Sequence, residues 1–266
     1  MGDTAIDSYP RDATTELPGT AYRVSGEGAP VVLVHGLGLN QNMWQWQRDA
    51  LNAHFTVIEY DLLGHGDSAK PPGPYPMKLM TDQIITLIDH LGIERCALVG
   101  FSLGGLIVQS FALAHPGRTS ALVILNAAHG RTQEQRDALM NRVQQVREHG
   151  PASTVEAALE RWFTPGFARR SPQVLEQVRQ WVLANDAGVY PEVYHLLAQA
   201  DIGLERAISN IKCPTLVVTG EEDHGNSPAM SRRMAELIPG ARAEILEGLR
   251  HMALAEDPEK VNTLLL

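Results

Sequence analysis

The sequence predicts an α/β protein built on a mostly parallel sheet flanked by helices, and three observations predict it. Short apolar runs recur along the chain and end in glycine or a polar residue. Segments with helical spacing lie between them. One long stretch in the second half keeps helical spacing without any strand-like run.

The runs come first. Val31–Val34 ends in His35-Gly36, Thr56–Tyr60 at Asp61, and Ala97–Val99 at Gly100. Ala121–Leu125 ends at Asn126 and Thr215–Val218 at Thr219-Gly220. Runs that are apolar on both faces suit strands covered on both sides, as in a parallel sheet. Met80, Ile84, Leu87, Ile88 and Leu91 fall at helical spacing before Gly92. A second helix over 103–115 stops at Pro116-Gly117. Strands separated by helices imply right-handed βαβ units. From about Gly130 to Ile208 the chain is rich in Gln, Arg, Glu and Ala, with Leu139, Val143 and Val146 and then Val155, Leu159 and Trp162 at helical spacing. This predicts a core of residues 1–129 and 209–266 with a helical insertion at 130–208, broken at Gly150-Pro151 and at Pro165-Gly166. A last strand is expected at Arg242–Leu246. The chain ends within a helical pattern at Val261–Leu266, as if trimmed.

Composition narrows the function. A chain of 266 residues with 44% hydrophobic and 20% charged residues can bury a large core. Its net charge of −9, from 31 acids and 22 bases, and its lack of a Lys/Arg run argue against a nucleic-acid partner. No apolar stretch is long enough to span a bilayer, so no membrane partner is expected. Residues 1–18 are polar and lack the apolar core of a signal peptide, and the expected location is cytoplasmic. Cys96 and Cys213 each sit beside a strand-like run, which predicts buried, inert thiols rather than a disulfide.

The chemistry is concentrated after the strands. Gly100-Phe101-Ser102-Leu103-Gly104 fits G-x-S-x-G between a strand and a helix, and Gly105 follows. Glycines on either side let the chain reverse sharply at Ser102, so that its hydroxyl projects above the sheet as a nucleophile. The competing reading is a serine that merely caps an ordinary helix. After the first of these strands, the turn His35-Gly36-Leu37-Gly38 can aim the Leu37 amide at the point reached by the Leu103 amide. Two such donors would hold an oxyanion, each worth roughly 10²–10³ in rate. His35 is read as a structural loop histidine.

A serine hydroxyl needs a histidine to take its proton and a carboxylate to orient that histidine. Asp223 lies just past a strand, in Gly220-Glu221-Glu222-Asp223, and is preferred over its neighbours Glu221 and Glu222. Another strand end, after Leu125, carries Asn126, an amide without charge. His251 follows the expected last strand and is the predicted base. His224 is its rival by nearness to Asp223 but a poor partner for the residue beside it.

These motifs, with Asp61-x-x-Gly64-His65-Gly66-x-Ser68 read as a structural turn, resemble the α/β-hydrolase superfamily over nearly the whole chain. The resemblance implies the α/β-hydrolase fold, with a sheet of about eight strands and a helical cap. The cap, in Arg161-Trp162-Phe163-Thr164, Val174-Leu175-Glu176 and Ala198-Gln199-Ala200-Asp201, is similar to that of 3-oxoadipate enol-lactone hydrolases. Those enzymes carry Asn-Ser-Leu-Gly where this chain has His35-Gly36-Leu37-Gly38. The expected activity is hydrolysis of a small carboxylic ester or lactone through an acyl-enzyme on Ser102. Serine at the turn argues against haloalkane dehalogenases and epoxide hydrolases, which use aspartate there. A carbon–carbon bond hydrolase of ring-cleavage products is the enzymatic alternative, and a non-catalytic small-molecule receptor on the same fold is a third reading. Met43, Trp44, Trp162 and Phe163 are expected to line an apolar substrate pocket. No metal or organic cofactor is called for, and a homo-oligomer is compatible with the sequence.

Overall fold

The computed structural model describes Leu17 and residues 19–266. The signal-peptide reading of residues 1–18 therefore falls, Leu17 apart, outside the described residues. Seven strands form one sheet: β1 (Tyr22–Ser25), β2 (Ala29–Val34), β3 (Phe55–Tyr60), β4 (Cys96–Phe101), β5 (Thr119–Leu125), β6 (Thr215–Gly220) and β7 (Arg242–Leu246). Their spatial order is β1-β3-β2-β4-β5-β6-β7, with β1 antiparallel to β3 and every other pair parallel. The strands read from sequence all form. Among the described residues the sheet has one strand fewer than the resemblance implied, and it includes an edge strand, β1, that the sequence did not announce.

The both-faces-apolar runs have a direct cause. Val32 and Val34 of β2 belong to one hydrophobic cluster, while Val31 and Leu33 belong to another, so alternate side chains feed two cores. The helices that cover them are α1 (Gln45–Asn52), α2 (Met77–His90), α3 (Leu103–Ala114), α9 (Pro228–Leu237), α10 (Ala253–Glu256) and α11 (Pro258–Leu265). Between β5 and β6 the chain forms five helices and no strand: α4 (Gln133–His149), α5 (Ala152–Trp162), α6 (Pro165–Arg170), α7 (Pro172–Leu183) and α8 (Tyr190–Gln199). Thr132 opens α4 with a capping box shared with Gln135. Pro165-Gly166 marks the break between α5 and α6 and opens α6. Thr164 accepts a hydrogen bond from the Phe167 amide, and proline occupies a first-turn position where its missing N–H costs nothing.

Two further expectations can be placed. Cys96 and Cys213 are both buried and unbridged, and burial pushes the Cys96 thiol up to about 12. No helix among the described residues is long and apolar enough to cross a membrane.

The topology fixes where a site can form. From β2 the chain moves to one side for β3 and to the other for β4. The loops leaving the carboxyl ends of β2 and β4 therefore diverge and open a crevice, the usual ligand position in open parallel sheets.

Candidate active site

Ser102 sits at that crevice in a strained backbone. Its φ is 55° and its ψ −113°, and only Ser102 and Asn126 among the described non-glycine residues have positive φ. The Ser102 amide is tied to the Leu125 carbonyl at 2.9 Å. Its side chain makes no capping hydrogen bond to α3, which removes the reading of Ser102 as an ordinary helix cap. The flanking glycines are needed sterically. A Cβ on Gly104 would overlap the Val34 carbonyl oxygen, and one on Gly100 would overlap the Gly104 carbonyl oxygen.

The turn after β2 faces the same point. The Leu37 amide finds no acceptor among the described residues, and the Leu103 amide opens α3, where no intrahelical acceptor exists. Two buried histidines hold this turn. His65 Nε2 accepts the Gly38 N–H at 2.9 Å, and His35 Nε2 accepts the Leu62 N–H at 2.9 Å. Burial lowers the pKa of both, which keeps these nitrogens free to accept. His35 is structural, as the sequence suggested. Asp61 likewise serves the turn: its carboxylate accepts the Gln41 amide at 2.7 Å and the Asp67 amide at 2.9 Å.

The predicted acid and base come from the far strands. Asp223, past β6, and His251, past β7, are both buried, and His251 Nδ1 lies 2.7 Å from Asp223 Oδ2. A carboxylate can only accept, so Nδ1 carries the proton and Nε2 is the unprotonated nitrogen of a ring that lines the cavity. The Asn226 and Gly225 amides donate to Asp223 Oδ1 at 3.0 and 3.1 Å. Burial works to raise the Asp223 carboxyl. The facing His251, the Asn126 amide and the Asn226 backbone outweigh it and hold the group below its ordinary value. The competing acids are used elsewhere: Glu221 accepts the Gly248 amide and Glu222 pairs with Arg250. His224 is exposed.

Asn126 is the residue that sequence reasoning undervalued. Its Nδ2 donates to Asp223 Oδ2 at 3.0 Å, the oxygen that faces His251, and also lies 3.3 Å from Thr219 Oγ1. The position where an acid was missing instead supplies a hydrogen bond to the acid. The available signal was its place at a strand end, one residue beyond Leu125.

Ser102, Leu37, Asp223 and His251 open onto one cavity of about 330 Å³, walled on the far side by α4, α5 and α8. The Phe101 ring lies 4.8 Å from the His251 ring and the Trp162 ring 5.9 Å from it. Trp162 lines the cavity. Met43, Trp44 and Phe163 do not. Met43 and Trp44 are fully buried in the core, because the short turn that carries them faces the sheet. Phe163 is buried and stacks on Phe167 at 5.5 Å.

The loop carrying His251 is bonded to the helical segment. Met252 N donates to the Trp162 carbonyl at 2.9 Å, and Arg250 reaches the Glu160 and Phe163 carbonyls at 2.8 and 3.0 Å. Glu256 accepts from Thr164 at 2.6 and 2.7 Å with one oxygen and from the Arg250 amide at 2.8 Å with the other.

A parallel sheet with a strained serine between β4 and α3, and an Asp–His pair after its last two strands, defines an α/β hydrolase. The chain belongs to the alpha/beta hydrolase family, whose model matches residues 31–264. Among its relatives is 3-oxoadipate enol-lactonase 2 of Acinetobacter baylyi, 33% identical over 87% of this chain and 85% of that one. The (E)-2-((N-methylformamido)methylene)succinate hydrolase of the same organism is 31% identical over 91% and 90% of the two chains. The enol-lactonase of Burkholderia xenovorans superposes with a TM-score of 0.87 at 32% identity, over 92% of this chain and 94% of that one.

Proposed function

We propose that this hydrolase cleaves a small carboxylic ester or lactone with Ser102 as nucleophile, His251 as base and Asp223 as the acid that orients it. The observation that carries the reading is the positive-φ Ser102, its hydroxyl uncommitted to the helix, sharing one cavity with a buried Asp223–His251 pair. The enol-lactonase relatives support the lactone.

Ser102 Oγ attacks the substrate carbonyl while His251 Nε2 takes its proton. The Leu37 and Leu103 amides receive the oxyanion, and the partial positive charge at the start of α3 adds to them. The imidazolium is stabilised by Asp223, whose depressed pKa keeps it ionised. His251 then returns the proton to the leaving oxygen, and water repeats the sequence on the acyl-enzyme. In this scheme residues 133–199 act as a cap over the sheet. The scheme draws on protein groups alone and suits a soluble, cytoplasmic enzyme.

The test is a screen of esters, lactones and ring-cleavage dienones with wild type and Ser102→Ala. Ester or lactone turnover, lost in the variant, supports the reading. Turnover confined to dienones replaces it with carbon–carbon bond hydrolysis. Turnover that survives in Ser102→Ala overturns the assignment of the nucleophile.

A further inference from the structure

A second pocket, of about 350 Å³, lies where the inserted helices join the sheet. His129 and Gly130 line it from the link between β5 and α4, and Glu205 and Arg206 line it from the link between α8 and β6. Arg233 and Leu237 line it from α9. None of these residues lines the cavity of Ser102. The pocket therefore touches both chain crossings into the helical segment and one helix of the core.

Its charges are unbalanced. Glu205 is neutralised by Arg136 at 2.8 Å, and the nearby buried Asp201 by Arg131 at 3.1 Å and Arg136 at 2.7 Å. Arg206 and Arg233 are exposed, and neither guanidinium has a hydrogen bond or an ion pair among the described residues. His129 is buried, at 2% exposure, and its Nδ1 is shut off from solvent without a partner among them. An imidazole sunk in this way without a hydrogen bond is costly, and native folds rarely leave one so. Gly130 keeps space open beside it. The one heavy atom within 4 Å of a Cβ built on Gly130 is Arg233 Nη1, at 3.9 Å.

We infer that His129, Arg206 and Arg233 form a binding site for a small tetrahedral oxyanion, a phosphate group, outside the cavity of Ser102. Three donors reach one pocket from three separate segments. That arrangement suits an anion with acceptors on several sides better than a planar carboxylate, which a single guanidinium fork can satisfy. The groups facing His129 are Arg233 on α9 and Asp201, Glu205 and Arg206 on the link after α8. Burial lowers the His129 pKa, the charge of Arg233 lowers it further, and Asp201 and Glu205 act against them. The free site therefore holds a neutral ring at pH 7. A bound anion restores the charged form, which donates from both nitrogens. Binding thus takes up a proton and tightens as pH falls through the range between the free and bound pKa values. The site stands apart from the hydrolase reading, because binding is measured without turnover.

The probes are inorganic phosphate, sulfate, acetate and phenyl phosphate. The readout is the His129 imidazole signal in NMR spectra of the full chain, assigned with His129→Gln. Phosphate and sulfate should move that signal saturably, with a Kd of about 1 mM, and should raise the His129 pKa. Sulfate keeps its charge through neutral pH, so a pKa shift in its presence belongs to the protein. In Arg206→Gln/Arg233→Gln, where both positions are exposed, the Kd should rise about ten- to a hundredfold and the pKa shift should vanish. Phenyl phosphate binding tighter than phosphate assigns an organic phosphate as the ligand, equal or weaker binding assigns the free anion, and either result upholds the site. Acetate binding as tightly as phosphate overturns the tetrahedral class. A His129 signal unmoved by tens of millimolar phosphate and sulfate, or a Kd unchanged within twofold in the double variant, overturns the site. A shift confined to His251 places the anion in the Ser102 cavity and overturns it too.

Discussion

Replacing Asn126 with alanine probes how much of the proposed chemistry depends on the surroundings of the acid. The variant removes one of the hydrogen bonds that Asp223 receives. The contacts from His251 Nδ1, the Asn226 amide and the Gly225 amide remain, at 2.7, 3.0 and 3.1 Å. A hydrogen bond to a buried charged group is worth about 1.5–3 kcal/mol. If that is lost in the transition state, where Asp223 must stay ionised opposite an imidazolium, kcat/KM falls about 10- to 100-fold. The lost amide also raises the Asp223 carboxyl toward its ordinary value of 3.8, so the acid limb of the pH profile moves up. The backbone complicates alanine, because Asn126 has φ 48° and asparagine tolerates that region better. Asn126→Gly removes the same amide without the steric cost and separates the two effects. The assay is kcat/KM on an activated ester against pH, with thermal melts of each variant. Equal rate losses in the alanine and glycine variants support the hydrogen bond. A glycine variant with wild-type kcat/KM and an unmoved acid limb would refute the reasoning.

Ser102→Gly should raise the thermal midpoint while abolishing turnover, since glycine removes a strained φ worth about 1–3 kcal/mol; a lowered midpoint in a calorimetric scan would count against stored strain. Trp44→Ala should cost about 3–5 kcal/mol in urea unfolding without changing which substrates are accepted, because Trp44 is a core side chain. Stability should fall as pH drops below about 6.5: burial holds His35 and His65 below their ordinary value of 6.5, so the unfolded chain takes up protons there that the fold does not. Asp223 adds the same sign lower down, as pH falls through its ordinary value of 3.8. His65→Gln should flatten the upper part of that slope, and an unchanged slope in denaturant titrations at pH 7 and 5 would contradict it.

What the sequence disclosed and what it hid have physical reasons. The turn around Ser102 is legible because close backbone approach demands glycines at fixed offsets, and Gly100 and Gly104 have no room for a Cβ. Parallel strands are legible because both faces are covered, so their residues are apolar without alternation. β1 was hidden because an edge strand of four residues, Tyr22–Ser25, offers only alternation. Trp44 was misplaced because an aromatic near a reactive turn looks the same in sequence whether it faces ligand or core. That Arg142 and Arg161 line one cavity lay beyond the sequence altogether. Each is one more basic residue on a polar helix until the packing of α4 on α5 turns both into the same cavity.

The bonds between residues 160–164 and 250–256 carry a consequence for exchanging parts among relatives. Because the strip bearing His251 is stitched to the α5–α6 junction, the two stretches form a single mechanical unit although they are distant along the chain. A graft that imported the helices alone would sever those stitches and loosen the imidazole it was meant to serve. Swaps should move both stretches together.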